Sequence, residues 1–352
     1  MNIIPGLLED LGLQYLVKVP YKFHNHLRAV CKSWNAILSS PNFYKERERH
    51  NECEEGIAYF HRPGRPTRWE VIIYYPHGMW WEILPRIPKE FILNWKLFHD
   101  ECNFVYVRSK YHLVAMGLLS KGDRRPTVLM FDFLSRTWRR GLDMPFRLWN
   151  HGCAVSPSSP QGLIYITTLR YYNNGIIPDL LHPYVFNVEE NKWDFLPPMN
   201  PDWHNNNCFG EFVDDKFYLL PTHRRSVHIY DPHSQVWKTI NTHNNSWALA
   251  EELVSAFGRL YCFGREQTVR EFDFANNSFT TVGQYPAQIY VIQCAVLCRD
   301  YIFVSAMEVV NSKDVYYRFN PLEREEEKRL TQIEMPAEFP GGILSLATAV
   351  QI

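Results

Sequence analysis

Residues 129–145 read LMFDFLSRTWRRGLDMP, and the order of residue types in this stretch returns five more times along the chain. An apolar run ends in Phe131, a turn-forming stretch follows, and Trp138 stands seven positions after Phe131. The same order gives IIYYPHGMWWEILP at 72–85, YVFNVEENKWDFLPPM at 184–199, HIYDPHSQVWKTI at 228–240, REFDFANNSFTTV at 270–282 and YRFNPLEREEEKRL at 317–330. The paired positions are Tyr74/Trp81, Phe131/Trp138, Phe186/Trp193, Tyr230/Trp237, Phe272/Phe279 and Phe319/Glu326. Successive units start 57, 55, 44, 42 and 47 residues apart. Six units with a period near 50 residues predict a mainly β protein, a β-propeller of six four-stranded blades.

Each unit also carries two earlier strands, for example NCFGEFVDD then KFYLLPTH, or AVLCRD then YIFVSAM. The first unit lacks its opening strand, and a spare one, GILSLATAV at 342–350, follows the last unit. The economical expectation is that this tail completes the first blade. Ring closure then removes the exposed sheet edges.

The first fifty residues have a different texture. Leu7, Leu8, Leu11 and Leu16 precede KVPYK, where Pro20 ends or redirects a helical segment. In LRAVCKSWNAI at 27–37, continued by Leu38, the residues Leu27, Val30, Cys31, Trp34, Ile37 and Leu38 fall at i, i+3, i+4, i+7, i+10 and i+11. That spacing predicts one helix over residues 24–39, with Arg28, Lys32, Ser33 and Asn35 turned away from its apolar face. A single helix cannot bury its own stripe, so the rest of the chain or a partner must cover it. Pro41 breaks this helix, and a short charged one is expected after it. The chain therefore divides into a helical domain at 1–50 and a β domain at 51–352.

Composition excludes several classes of function. With 37 basic and 38 acidic residues, no general nucleic-acid or membrane-surface binder is expected. The eight cysteines form no CxxC pair and no Cys/His array with zinc spacing, which suits free thiols in a reducing compartment. The start, MNIIPGLLEDLG, has Pro and acids where a signal peptide needs a basic start and an apolar run. No apolar run reaches the ~18 residues of a membrane span. A cytoplasmic or nuclear protein is expected. Cys102, Cys153, Cys208 and Cys294 fall in the first strands of four blades. Metal ligands must converge within ~2.3 Å of the ion, too close for strands spaced around a channel. Small residues in a crowded inner strand explain them better. No cofactor or metal is expected.

The two halves together resemble the plant F-box/kelch-repeat proteins. The F-box likeness covers residues 4–47 and rests on IPGLLEDLGLQYLVKVP, LRAVCKSWNAIL and SPNFY, in that order. The kelch likeness covers residues 55–350 and rests on the aromatic-to-Trp spacing and on the LP or MP that follows several Trp. This sequence departs from the family where an F-box commonly begins Leu-Pro, since Leu7 is followed by Leu8 and Pro5 lies upstream. The kelch double glycine at the end of the second strand is reduced to Gly117 and Gly264. The resemblance implies a non-catalytic receptor subunit. Its F-box would dock on a Skp-type adaptor, and through it on a cullin–RING ubiquitin ligase. Its propeller would hold an unidentified target for ubiquitination and degradation. By position, Pro5, Leu7, Leu8, Leu11, Leu16, Val19, Pro20, Leu27, Val30, Cys31 and Trp34 would form the F-box core and docking face.

The tryptophans seven positions after the repeat aromatic are expected to fill the gaps between neighbouring sheets. A second aromatic set, Trp95, Trp149, Trp203, Trp247 and Tyr290, follows them by 14, 11, 10, 10 and 11 residues, in the linkers between blades. Arg62, Arg65, Arg124, Arg125, Arg224 and Arg225 lie in loops expected to reach the same face. Trp, Tyr and Arg dominate binding hot spots, so these residues are candidates for the target-binding face. Loop packing over the core is the other reading of the same residues. Two further functions stay open. One is a propeller scaffold or inhibitor that works without the ligase. The other is a kelch-type oxidase, which would need a copper-binding set of Tyr and His that the sequence does not display.

Overall fold

The computed structural model describes residues 3–61, 70–92, 95–96, 103–120, 126–145, 152–167, 183–199, 208–221, 226–242, 250–264, 267–286, 289–308, 313–323, 330–336, 339 and 347–352. Among these residues the strands form six antiparallel sheets, one for each sequence repeat. From the axis outward, blade 4 is Cys208–Val213, Lys216–Pro221, Ser226–Asp231 and Val236–Asn241. The inner strands of the other blades are Ala347–Gln351 (blade 1), Asn103–Val107 (blade 2), Gly152–Val155 (blade 3), Ala250–Ala256 (blade 5) and Ile289–Cys298 (blade 6). Each inner strand lies beside the inner strands of both neighbouring blades, which closes the ring.

Blade 1 draws its strands from both ends of the chain. Ala347–Gln351 pairs antiparallel with the start of Glu55–His61, from Glu55 opposite Gln351 to Tyr59 opposite Ala347. Glu70–Tyr75 and Trp80–Ile83 complete the sheet. Val350 and Ile352 are fully buried.

The seven-residue spacing has a local cause. Phe131 lies directly opposite Trp138 across the outer hairpin of blade 2, and so do Tyr74 and Trp81, Phe186 and Trp193, Tyr230 and Trp237, and Phe272 and Phe279 in theirs. Such cross-strand pairs are the unit of sheet stabilisation. The turn between them is also specified. The residue after the aromatic is Asp or Asn in blades 2 to 6, and its side chain accepts turn N–H groups. Examples are Leu134 N–H to Asp132 at 2.8 Å, His233 N–H to Asp231 at 2.9 Å and Ala275 N–H to Asp273 at 2.8 Å. The fifth residue after the aromatic is left-handed in five blades: Met79, Arg136, Asn191, Gln235 and Asn277. The sixth blade departs from the spacing. Phe319 faces Leu330, four residues beyond the expected Glu326, which lies outside the described residues. An acidic run cannot fill a gap between sheets, so the chain continues until it meets an apolar residue.

The tryptophans also bond the segments that follow the outer strands, twice at the proline of an LP. Trp138 Nε1–H donates to Pro85 O at 2.7 Å, Trp193 to Leu142 O at 3.1 Å and Trp237 to Pro197 O at 2.9 Å. Each acceptor sits just beyond the outer strand of the preceding blade, so each indole stitches one blade to the one before it.

Gly117 is required by conformation and Gly210 by proximity. Gly117 adopts φ +89° at a bulge in the second strand of blade 2. A Cβ on Gly210 would lie 2.7 Å from Cys153 N and 2.9 Å from Gly152 C, where the inner strands of blades 3 and 4 press together.

The N-terminal region comprises α1 (Glu9–Val17), α2 (His24–Val30), α3 (Lys32–Leu38) and α4 (Pro41–Arg49). The single helix expected over 24–39 is therefore two. Cys31 is extended at φ −161°, ψ 165° and caps α3, its Sγ accepting from Trp34 N–H at 3.5 Å. Nor does Arg28 turn away. Its guanidinium folds back onto Leu38 O at 2.5 Å, Ser39 Oγ at 2.6 Å and Tyr44 OH at 3.3 Å, a set of contacts that a straight helix could not offer it.

The helices share one apolar core with the propeller. Leu16, Val17, Tyr21, Leu38, Phe43 and Tyr44 join Ile73, Tyr75, Tyr111 and Phe133. They sit on the face that carries the turns between first and second strands and between third and outer strands. Tyr44 packs on Tyr111 of one such turn at 5.4 Å. Arg136 of another reaches Tyr21.

Candidate interaction surface

The eleven residues expected to form the F-box core and docking face separate into three groups. Leu16 is buried in the shared core. Leu7, Val19, Leu27 and Trp34 are half-buried. Pro5, Leu8, Leu11, Pro20, Val30 and Cys31 are exposed. Trp34 works mainly inward, since its Nε1–H donates to Ile3 O at 2.7 Å and holds the N-terminal arm against α3.

The solvent side of these helices is unusually apolar. Leu8 is 74% exposed, Leu11 42% and Tyr15 61%. Leu11 and Tyr15 stand four apart on one face of α1, and Leu8 is its N-cap residue, three positions before Leu11. Leu13, Leu16 and Val17 form the other apolar side of the same helix and pack into the core. The helix also exposes Glu9, Asp10 and Gln14, so the bare apolar side chains form a stripe among polar ones. Phe23 and Val30 add two further exposed large apolar side chains. Tyr15 and Phe23 escaped the sequence reading, although the i+7 relation of Tyr15 to Leu8 was available there. Beside this surface a cleft of about 670 Å³ opens between the N-terminal arm and α1, α3 and α4, floored by Ile3, Leu13, Ile37 and Phe43.

A buried cation organises the helices from behind. Arg47 is 1% exposed and donates to Val17 O at 2.6 Å, Val19 O at 2.7 Å and Glu52 O at 2.5 Å. His24, also buried, bonds Val19 O at 3.0 Å. Burial and the neighbouring Arg47 charge push its pKa down to about 3, so the ring is neutral.

On the opposite face of the propeller the chain leaves and re-enters the described strands. Arg62, Arg65, Arg124, Arg125, Trp149, Trp203, Arg224, Arg225 and Trp247 lie outside the described residues. Only the backbone is described for Trp95, which pairs with Ser120 at the far end of a blade 2 strand, and for Tyr290, near the start of the inner strand of blade 6. Cys153, Cys208 and Cys294 do occupy inner strands, and Cys102 lies outside the described residues. Among the described residues no three His, Cys, Asp or Glu side chains are placed to hold a metal ion, and no helix is long and apolar enough to cross a membrane.

Two carboxyls lie close together near the axis. Glu211 and Glu252, on the inner strands of blades 4 and 5, are each pushed up to about 8, first by burial. For Glu252 the charges of Glu251 and Glu211 add to this, while backbone N–H bonds from Phe212 and Ser255 oppose it at Glu211. The folded state then keeps protons that the unfolded chain releases above about 4.5, so stability falls as pH rises towards 8. His24 acts in the opposite sense, but only below 6.5. Between pH 6.5 and 8 the protein should therefore lose stability. Urea melts across that window should show the loss in the natural chain and a nearly flat profile in Glu211→Gln/Glu252→Gln. Equal slopes would mean that these carboxyls ionise normally.

No protein-family model matches the chain. Curated relatives do. The F-box/kelch-repeat protein SKIP20 of Arabidopsis thaliana is 25% identical over 320 residues, covering 74% of this chain and 74% of the relative. F-box/kelch-repeat protein At1g80440 of the same plant is 26% identical, covering 82% of this chain and 84% of the relative. The chain resembles the F-box/kelch-repeat proteins. Its six-bladed propeller behind a small helical region is the architecture such relatives imply. Among solved structures, the crystal structure of TolB from Acinetobacter baumannii superposes with a TM-score of 0.54 at 12% identity, over 84% of this chain and 66% of that one. That likeness concerns the fold alone. The F-box/kelch relatives point to a propeller that serves as a substrate adaptor.

Proposed function

We propose that this chain is the substrate-recognition subunit of a Skp–cullin–F-box ubiquitin ligase, working in the cytoplasm or nucleus. The observation that carries the reading is the bare stripe Leu8, Leu11 and Tyr15 on a helix whose other side is already buried. An exposed apolar surface on an otherwise well-packed region marks a protein interaction site. In this reading the stripe, with Phe23 and Val30, docks on a Skp-type adaptor. The propeller holds a target protein on the face away from the helices. Ubiquitin transfer and degradation follow from the raised local concentration of target lysines, without a catalytic step by this chain.

The test is Leu8→Asp/Leu11→Asp in the full chain, measured by calorimetric titration with a Skp-type adaptor. Affinity should fall by more than about 100-fold, as for paired hot-spot residues. The melting temperature should move by no more than about 2 °C, because both side chains face solvent. Unchanged affinity would end the adaptor reading.

A further inference from the structure

We infer that Arg136 is a positioning residue that fixes the angle of the F-box region on the propeller; its consequence for ubiquitin transfer rests on the reading above. The shared core alone cannot set that angle, because apolar contact is non-directional. Direction has to come from hydrogen bonds.

Arg136 supplies them from an unusual position. It is the left-handed residue of the blade 2 turn, at φ +55°, where the corresponding residues of other described turns are Met79, Asn191, Gln235 and Asn277. A long cation at positive φ is unfavourable and persists where the surroundings hold it. Here they do. The side chain is 14% exposed, Nη1–H donates to Tyr21 OH at 2.6 Å and Nη2–H to Glu82 Oε2 at 3.0 Å. The other oxygen of Glu82 accepts from Tyr75 OH at 3.1 Å. Tyr21 is itself held by its N–H on Glu54 Oε1 at 2.5 Å. One planar fork thus joins the turn of blade 2, the outer strand of blade 1 and the helical region, and its geometry admits little rotation. Two contacts made to the helical region by arginines of other propeller turns are looser. Arg108 meets Glu48 at 3.4 Å with the arginine 59% exposed, and the exposed Arg299 meets Asn51 at 3.5 Å.

The test uses the full chain with Arg136→Gln and, separately, Tyr21→Phe, which keeps the ring and removes only the hydroxyl. Hydrogen exchange of α1 and α2 should accelerate by about 10- to 100-fold in both variants, the worth of a hydrogen bond to a charged group. Exchange in blades 4 and 5 should not change. In a ligase reconstituted with adaptor, cullin and RING subunits, this chain's own lysines serve as the acceptor. The natural chain should be modified at a restricted set of lysines, and both variants at a wider set with adaptor affinity unchanged. Unaltered helix exchange in both variants, or an unaltered lysine pattern, overturns the inference. Failure of the natural chain to bind the adaptor sinks the ligase reading alone, and the exchange result still decides the role of Arg136.

Discussion

A chain ending at residue 346 should not form a stable monomeric ring. The deleted residues 347–352 are few, but they include the whole inner strand of blade 1. Five ladder positions opposite Glu55–Tyr59 would be lost, and with them the paired backbone bonds between Glu54 and Ile352 at 2.8 and 2.9 Å. Two fully buried side chains, Val350 and Ile352, leave the core that the helices and the propeller share. Tyr106 OH loses its acceptor, Gln351 O. Worse, the ring opens between blades 2 and 6, and the second strand of blade 1 presents an unpaired edge. Such an edge templates association with other chains. The expected outcome is self-association by light scattering, or a melting temperature lower by at least about 10 °C. A synthetic peptide spanning 342–352 should restore part of the loss by adding back as a strand. A truncated monomer that melts like the full chain would show that closure contributes little.

How much of this was legible beforehand depends on the range over which each feature is determined. The seven-residue spacing was readable because a hairpin fixes it locally: Phe131 and Trp138 face one another whatever the rest of the chain does. Blade number followed from counting hairpins. The partner of Phe319 was misplaced because the longer connection in blade 6 obeys packing rather than spacing. Helix periodicity over 24–39 failed for a similar reason. Leu27 to Leu38 keep helical phase, yet Arg28 and the cap at Cys31 gain more from a break, and those gains depend on Ser39 and Tyr44 arriving from further along. The eleven residues expected to form the F-box core and docking face are not separated by sequence. Leu8, Leu11 and Val30 do face outward, whereas Leu16 and most of Trp34 serve the core. Sequence phase alone cannot say which of two apolar sides of a helix meets the body of the protein. Arg136 carried no signal, since its partners Tyr21 and Glu82 lie 115 and 54 residues away.

Replacing Trp138 should separate the two tasks that the repeat tryptophan performs. The side chain is 8% exposed and packs at 5.1 Å from Phe131, its cross-strand partner. Its indole N–H also bonds Pro85 O in the preceding blade. Trp138→Ala removes the filling between two sheets and strands a carbonyl, so a loss of about 4 kcal/mol is expected, in the range of buried aromatic deletions. Trp138→Phe retains most of the filling but not the donor. It should lose about 1–2 kcal/mol, the cost of an acceptor left without its hydrogen bond. The comparison with blade 5 makes this sharper, because there the structure already has Phe279 opposite Phe272. Phe279→Trp should not recover stability unless an acceptor from blade 4 lies within reach. Urea melts of the three variants against the natural chain measure all of these. If Trp138→Phe is as damaging as Trp138→Ala, the indole N–H bond to Pro85 O, rather than the filling, governs the site. If Trp138→Phe is silent, the stitch from blade to blade adds nothing beyond packing.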